Sequence, residues 1–374
     1  MTDTDTHENP SGQWMEPGDR SPDEAKFFWT GGPVQVAPES WFASLGSGVT
    51  AFATGEGLVL IDSGTRLFAP EMARLIRGRT DLPVHTAVYT HGHVDHAFGL
   101  SAFLHEGQPL PRIIGQAAMA DRFTRYERTP QHNATINSRQ FGGRPDDPAF
   151  REQDLRFGAP EHPPNLYYQN DLELSVGGVR FELHACRGET DDHTWVYCPE
   201  RGVLCPGDLI IWGVPNAGNP QKAQRFPWDW AQGLRVMAAT GARTLCPGHG
   251  GPIVDDAALV RRVLHETADL LEQIVDRTLA VLEAGSPPHV DVVRRVELPQ
   301  SDSPGSNRST TRRNSSSATS SATTAAGGAA APANSNQRPA RTSQLRSPTS
   351  PEAPTHSCSA PDPSPTPTSG WPAT

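Results

Sequence analysis

Four metal-competent side chains, His91, His93, Asp95 and His96, fall within six consecutive positions of the stretch PVHTAVYTHGHVDH, residues 83 to 96. Just upstream, Val84, Thr86, Val88 and Thr90 alternate with Ala87 and Tyr89, a β-branched run that reads as a strand. Gly92 then predicts a sharp turn, which places the histidines on a loop at a strand's end. Neighbours on an extended strand point to opposite faces, so three imidazoles and a carboxylate converge only where the backbone curls around a common point. A bound metal explains that curl, and a solvated His-rich loop is the plainer alternative.

The surrounding chain supplies a frame for such a loop. Val49 to Thr54 and Leu58 to Ile61 are short apolar runs separated by Gly55 and Gly57, a hairpin signal. Asp62, Ser63 and Gly64 close the second run, a helix is predicted from Pro70 to Arg79, and the histidine strand follows. This β-α-β order sets the loop at the carboxyl end of a strand. Further helices are predicted around Gly99 to His105 and from Gln116 to about Arg128, with a strand at Arg112 to Gly115. Residues 129 to 172 are polar and rich in Pro and Gly, and read as a long lid or binding loop holding His132, Asn133, Asn137, Arg139 and Gln140. Strands are expected again at Leu172 to Val176, Val179 to Leu183, Thr194 to Tyr197, Gly202 to Cys205 and Thr244 to Cys246.

Composition limits how much of the 374 residues folds. From about Ser301 the chain is Ser, Thr, Pro, Ala and Gly with almost no large apolar side chains, and cannot offset the entropy of ordering. Residues 1 to 40 read as an irregular arm, with Phe27, Phe28 and Trp29 its densest apolar cluster. The net charge of −10 argues against a general nucleic-acid binder, so an anionic substrate needs a local positive site. Five cysteines without a CxxC spacing fit buried thiols in a reducing compartment. The polar, acidic start and the lack of any apolar run of membrane-span length lead us to expect a cytoplasmic protein.

The HxHxDH pattern with its preceding Thr90 resembles the hallmark of the metallo-β-lactamase superfamily. The resemblance runs over roughly residues 45 to 298 and implies an α/β (α+β) fold: an αββα sandwich of two mixed β-sheets flanked by helices. It implies a catalytic domain over 41–254 and a helical extension over 255–300, and composition adds a disordered low-complexity tail over 301–374. Read one base out of frame in GC-rich codons, the tail segment STTRRNSSSATS can encode a continuation of the family, so a frameshift is one origin for the tail.

The remaining metal ligands follow from the same resemblance. Members usually supply the third ligand from a Gly-His pair between two strands, and here Gly188 is followed by Glu189. Asp208, after an apolar strand and a glycine, matches the aspartate that bridges two metals, and His249 in CPGHGGPI matches the last ligand. One ion is thereby expected on His91, His93 and Glu189, the other on Asp95, His96 and His249, with Asp208 shared. Two Zn²⁺ ions are the default, with Mn²⁺ or Fe²⁺ as alternatives because a carboxylate makes the site harder. Such a pair lowers the pKa of a bridging water from near 15.7 toward roughly 7 and orients it for in-line attack, which makes hydrolysis the natural chemistry. Asp95 is expected to help orient that nucleophile, and His193 to be a catalytic acid, a support or an alternative ligand. Asp62 reads either as a buttress of the metal loop or as a helix cap.

Two features resemble the linear alkylsulfatase branch: the carboxylate at 189, and the helix predicted from Asp255 to Gly285 with SPPHVDVVRRVELPQ after it, similar to the opening of the alkylsulfatase dimerisation region. The helix is equally open to a core-packing role or a homodimer contact. The branch implies a small-molecule substrate, an alkyl sulfate ester, held by Asn216, Asn219 and Arg225, with Asn137 and Arg139 as further contacts and Trp212, Phe226, Trp228 and Trp230 as channel or core residues. A thioester, lactone or carboxylic ester hydrolase, an iron-dependent oxidoreductase of the same fold, and a metal-binding scaffold without turnover are the rivals.

Overall fold

The computed structural model of the chain describes residues 31–141, 157–218, 222–285 and 292–296. Seven strands, β1 (Gly31–Ala37), β2 (Ser40–Leu45), β3 (Ser47–Thr54), β4 (Gly57–Ile61), β5 (Val84–Val88), β6 (Arg112–Gln116) and β7 (Leu166–Tyr168), form the first sheet in that order. The pairings from β1 to β4 are antiparallel and those from β4 to β7 parallel, so the sheet is mixed. The second sheet holds β8 (Asp171–Val176), β9 (Val179–Ala185), β10 (Thr194–Cys198), β11 (Val203–Ile211) and β12 (Thr244–His249). Only its β11–β12 pairing is parallel.

Three apolar clusters define four layers. Phe42, Phe52, Val59, Ile61, Val88 and Ile114 of the first sheet meet Val176, Phe181, Leu183, Val196, Val203 and Cys205 of the second. Phe52 and Phe181 pack edge to face across that interface, with ring centroids 5.3 Å apart. The outer face of the first sheet is covered by α1 (Ala69–Arg77) and α3 (Met119–Arg128), with α2 (Val94–Ala97) and a short 3₁₀ turn at Leu100–Phe103 between them. The outer face of the second sheet is covered by α5 (Pro227–Ala239) and α6 (Ala257–Glu283). Strands such as GLVLI are apolar on both faces because each sheet is buried on both sides.

The outer helices follow from local chemistry. Helix α1 begins with Pro70 in its first turn, where the missing N–H costs nothing, and buries Ala69, Met72, Ala73 and Ile76. Asp256 caps α6 by accepting from the Leu259 backbone N–H. One stripe of α6 carries Val260, Val263, Leu264, Leu271, Ile274 and Val275 into the core, while Leu279 near its end is exposed. Most of α6 is therefore a core-packing helix. A four-residue helix, α7 (Val292–Arg295), follows it.

Several expectations change. Part of the arm is structured, since β1 is an edge strand over 31–37, whereas Phe27, Phe28 and Trp29 lie outside the described residues. The helix expected around Gly99 is one 3₁₀ turn, ended by an extended Leu104. The polar stretch from 129 is not all loop: α4 (Pro130–Phe141) starts with a proline in its first turn, and residues 142–156 lie outside the described part. Residues 301–374 lie outside it too. The cysteines Cys198, Cys205 and Cys246 are buried free thiols, and Cys186 is partly buried. No helix among the described residues is long and apolar enough to cross a membrane.

Candidate metal centre

The motif loop leaves the end of β5, and its shape is set by Asp62 at the end of β4. Asp62 takes up a positive φ of 60° and is buried. Its Oδ1 accepts the Thr90 backbone N–H at 2.7 Å, and its Oδ2 accepts the Thr90 hydroxyl at 2.8 Å. The same Oδ2 lies 2.8 Å from His96 Nδ1, which fixes the proton of that ring on Nδ1 and turns the Nε2 lone pair inward. The N-cap of α1 is Phe68, so Asp62 is a buttress and not a helix cap. Burial raises its pKa, against the pull of His96 and the Thr90 bonds.

The short helix α2 carries Asp95 and His96, while His91 and His93 precede it. Across the sandwich, Glu189 comes from the β9–β10 connection, Asp208 from within β11 and His249 from the end of β12. Glu189 Oε2 lies 3.4 Å from His93 Nδ1 and 3.7 Å from His91 Nε2. Asp95 Oδ2 lies 3.4 Å from His249 Nε2 and 3.7 Å from His96 Nε2. Between them sits Asp208, with Oδ2 3.8 Å from His91 Nε2 and Oδ1 3.1 and 3.3 Å from His96 and His249 Nε2. Two groups result, His91, His93, Glu189 and Asp208, and Asp95, His96 and His249, each with its ligand atoms within 4.8 Å of one another.

These residues fit a pair of cations. His96 Nε2, Glu189 Oε2 and Asp208 Oδ1 are buried without a well-formed hydrogen bond, and all three point at the shared centre. Buried polar atoms left so are costly unless something else coordinates them. Burial, reinforced by the neighbouring imidazoles, keeps His91 well below the ordinary histidine range, and burial with Arg122 and Arg225 does the same for His93. Both rings are therefore neutral, the state a metal requires. Burial pushes the Asp208 carboxyl up, but His249 and His96 outweigh it and hold it well below the ordinary range.

A surrounding layer holds the ligands in place. Gly92 N donates to Asp192 Oδ2 at 2.9 Å, and the same oxygen pairs at 2.8 Å with Nε of Arg122, a buried arginine of α3. The other end of the Arg122 guanidinium pairs with Asp191. The Ser47 hydroxyl donates to the Asp95 carbonyl, and His249 Nδ1 faces the Gly46 carbonyl. Two glycines make room: a β-carbon on Gly248 would collide with Asp208 Oδ1, and one on Gly207, at φ +54°, would stand 2.6 Å from Thr90 Oγ1 and 2.7 Å from His193 Nε2.

The candidate substrate residues scatter more. Arg225 is buried and pairs with Glu189 Oε1, so it holds a candidate ligand in place. Asn216 is partly buried, with its Oδ1 enclosed. Asn137 on α4 accepts a 2.8 Å hydrogen bond from Lys222, which the sequence reading did not single out. Asn219 and the Arg139 side chain lie outside the described residues. His193, expected as a catalytic acid, is wholly buried with its ring stacked on His91 at 4.5 Å. Its Nε2 is 3.1 Å from the Pro206 carbonyl, and burial lowers its pKa to about 4. The ring thus packs against His91, one of the candidate ligands. Trp212 and Trp230 are core, their indole N–H groups bonded to the Gly251 and Leu209 carbonyls, whereas Trp228 is exposed. Arg122 and Lys222 went unrecognised because nothing in their immediate sequence marks them, and Asp192 stood out only as one of several acidic residues around Glu189.

A four-layer αββα sandwich with two facing His and carboxylate groups at the strand ends defines a metal-site scaffold of hydrolase type. The chain belongs to the metallo-beta-lactamase superfamily, whose family model matches residues 46–249, more than half of its length. It is 26% identical over 258 residues to a linear primary-alkylsulfatase from Pseudomonas sp. (strain ATCC 19151), covering 65% of this chain and 48% of that protein. Among solved structures it resembles the stereoselective inverting sec-alkylsulfatase Pisa1 from Pseudomonas sp., with a TM-score of 0.60 and 21% identity over 71% of this chain and 45% of that one. It also resembles a metallo-beta-lactamase family protein from Thermus thermophilus, with a TM-score of 0.52 and 23% identity over 77% of this chain and 93% of that one. The chain spans about half the length of the alkylsulfatases it matches.

Proposed function

We propose that this chain is a dinuclear metal-dependent hydrolase that cleaves an ester, with alkyl sulfate esters as the leading substrate class. The observation that carries the hydrolase reading is Asp208, whose two oxygens face the two ligand groups. In this reading His91, His93 and Glu189 hold one divalent cation, Asp95, His96 and His249 the other, and Asp208 both. With the cations bound, such a site supplies a water acidified toward roughly pKa 7. Asp95 is the most exposed of the three carboxylates, its side chain 37% accessible against 8% for Glu189 and 10% for Asp208. It is therefore the acid best placed to orient an attacking water. Asp62 holds the His96 tautomer, and His193 supports His91 from behind.

The sulfate preference rests on the similarity to two alkylsulfatases and on the carboxylate at 189. Zn²⁺ is the expected metal, with Mn²⁺ and Fe²⁺ as the alternatives that an oxygen-richer donor set admits. The test is a metal-replete assay of the full chain on sulfate, thioester, lactone and carboxylic esters, with Asp95→Ala as control. Inorganic sulfate released from an alkyl sulfate, and lost in the control, supports the reading. Turnover of another ester without sulfate release overturns the substrate class, and oxygen consumption with stoichiometric iron overturns the reaction class.

A further inference from the structure

An apolar pair stands where local folding chemistry favours a polar residue. Leu67 and Phe68 are 46% and 42% exposed, and Phe68 is the N-cap of α1, with no side-chain bond to the helix. Ser, Thr, Asp and Asn are the residues that satisfy a helix start, so the phenyl ring serves no capping role. The loop that carries it is fixed to the helix of metal ligands. After Asp62, which holds His96, the Ser63 backbone N–H and hydroxyl donate to the His96 carbonyl at 2.8 and 3.1 Å. Gly64 bridges to Ala97, and its carbonyl accepts the Phe98 N–H at 3.3 Å. Thr65 Oγ1 then accepts the Phe68 N–H at 3.1 Å.

The ring lies against the backbone of Gly46: a β-carbon there, at φ +87°, would meet two Phe68 ring carbons at 3.7 Å. The carbonyl of that same glycine is bonded to His249 Nδ1, and the next residue, Ser47, donates to the Asp95 carbonyl. One residue thus separates the ring from His249, a path of at most about 10 Å from ring to Nδ1. Asp95, in the same ligand group, has a side chain 37% accessible, so this half of the centre opens to solvent. Beside Glu189 the arrangement differs. The Phe226 N–H bonds the Gly188 carbonyl there, but the Phe226 ring is covered by the Arg187 guanidinium at 4.7 Å, itself paired with Asp229. Phe68 offers a phenyl face that Phe226 does not.

We propose that Phe68, with Leu67 beside it, receives the hydrocarbon part of the substrate next to the His249 half of the metal centre, and so favours esters of longer alkyl chains. The proposal deepens the ester-hydrolase reading and rests on it for the substrate. A phenyl ring supplies apolar area without a polar group that an alkyl chain would leave unpaired. Its backbone is already held by the bonds to α2, so little ordering is left for the bound state to impose.

The test is calorimetric binding of butanohydroxamate and octanohydroxamate, which chelate metal ions and carry no scissile ester, to the metal-loaded full chain. The wild type should prefer the long probe. Phe68→Ala should weaken the long probe about fivefold to tenfold, the loss of part of one phenyl face, and leave the short one within about twofold. Phe68→Leu should keep most of the preference. Val236→Ala, which removes an exposed apolar side chain from the outer helix α5, should keep all of it. A wild type with no preference for the long probe, a long-probe affinity within about twofold of wild type in Phe68→Ala, or equal loss of both probes would overturn the proposal. Because neither probe is turned over, the two readings separate. A Phe68-dependent preference for the long probe without hydrolysis of any ester would sink the hydrolase reading alone, and ester turnover with Phe68-independent binding would sink this one alone.

Discussion

Replacing Arg122 by Met tests how the motif loop is held. Arg122 is 4% exposed and Asp192 is fully buried, with Nε 2.8 Å from Oδ2. The substitution leaves a carboxylate inside the protein with its countercharge gone, and breaking a buried pair from one side costs about 3–5 kcal/mol. For a domain of this size each kcal/mol lowers the melting temperature by about 2–4 °C, so a fall of about 6–20 °C is expected. A second variant separates lost charge from lost packing. Arg122→Met with Asp192→Asn keeps an acceptor for the Gly92 N–H while removing the stranded charge, and should recover more than half of the loss.

The pH dependence gives an independent check with a fixed sign. Burial acts to raise the Asp192 pKa, but the charge and hydrogen bond of Arg122, with the bonds from Thr190 and Gly92 N, hold it below its ordinary 3.8. A depressed folded pKa contributes stability that is present above the unfolded value and lost as pH falls through the folded one. In Arg122→Met burial dominates, the folded pKa rises above the unfolded value, and the sign inverts. The stability gap between wild type and variant should therefore be widest near neutral pH and close on acidification toward about pH 4. Urea denaturation at several pH values measures it. A gap below about 1 kcal/mol at neutral pH, or one that does not narrow in acid, would refute this account of the loop.

Two further substitutions bear on the centre itself. Asp62→Asn keeps the size of the side chain but loosens the His96 tautomer, and should weaken metal affinity about 10–100-fold in competition with a chelating dye; unchanged affinity would remove Asp62 from its supporting role. Gly248→Ala drives a β-carbon onto Asp208 Oδ1 and to 2.7 Å from the Asp208 backbone N and the Gly207 carbonyl carbon, so the bound metal per chain should fall together with the melting temperature. Full metal content in that variant would show that Asp208 has slack the geometry denies.

The legible part of the site was the part concentrated in sequence. His91, His93, Asp95 and His96 are close neighbours in the chain, and the turn from a strand's end into the short helix α2 lets such spacing converge. Glu189, Asp208 and His249 were found through resemblance, because each is a single residue after an ordinary apolar strand. The layer behind them was illegible for a physical reason. Arg122 and Asp191 are 69 residues apart, and Lys222 and Asn137 are 85 apart, so only the folded chain brings them together. Helix α4 was missed because PQHNATINSRQF offers few apolar residues at helical spacing, the feature that identified α6. Gly92 was assigned a conformational role, yet it is not among the positive-φ residues: a β-carbon there would stand 2.8 Å from the Arg122 side chain and 3.0 Å from Asp192 Oδ2.

The departure at residue 189 and the placement of Arg225 belong to one arrangement. A carboxylate at the position where the superfamily pattern usually has an imidazole adds a negative charge to a buried site that already holds Asp208 and, next to it, Asp62. Burial drives the Glu189 carboxyl upward, and Arg225 is the largest force opposing it. By occupying Oε1, the guanidinium offsets the added charge and turns Oε2 toward His91 and His93. The exchange thus changes the donor from nitrogen to oxygen while leaving the local charge nearly as an imidazole would.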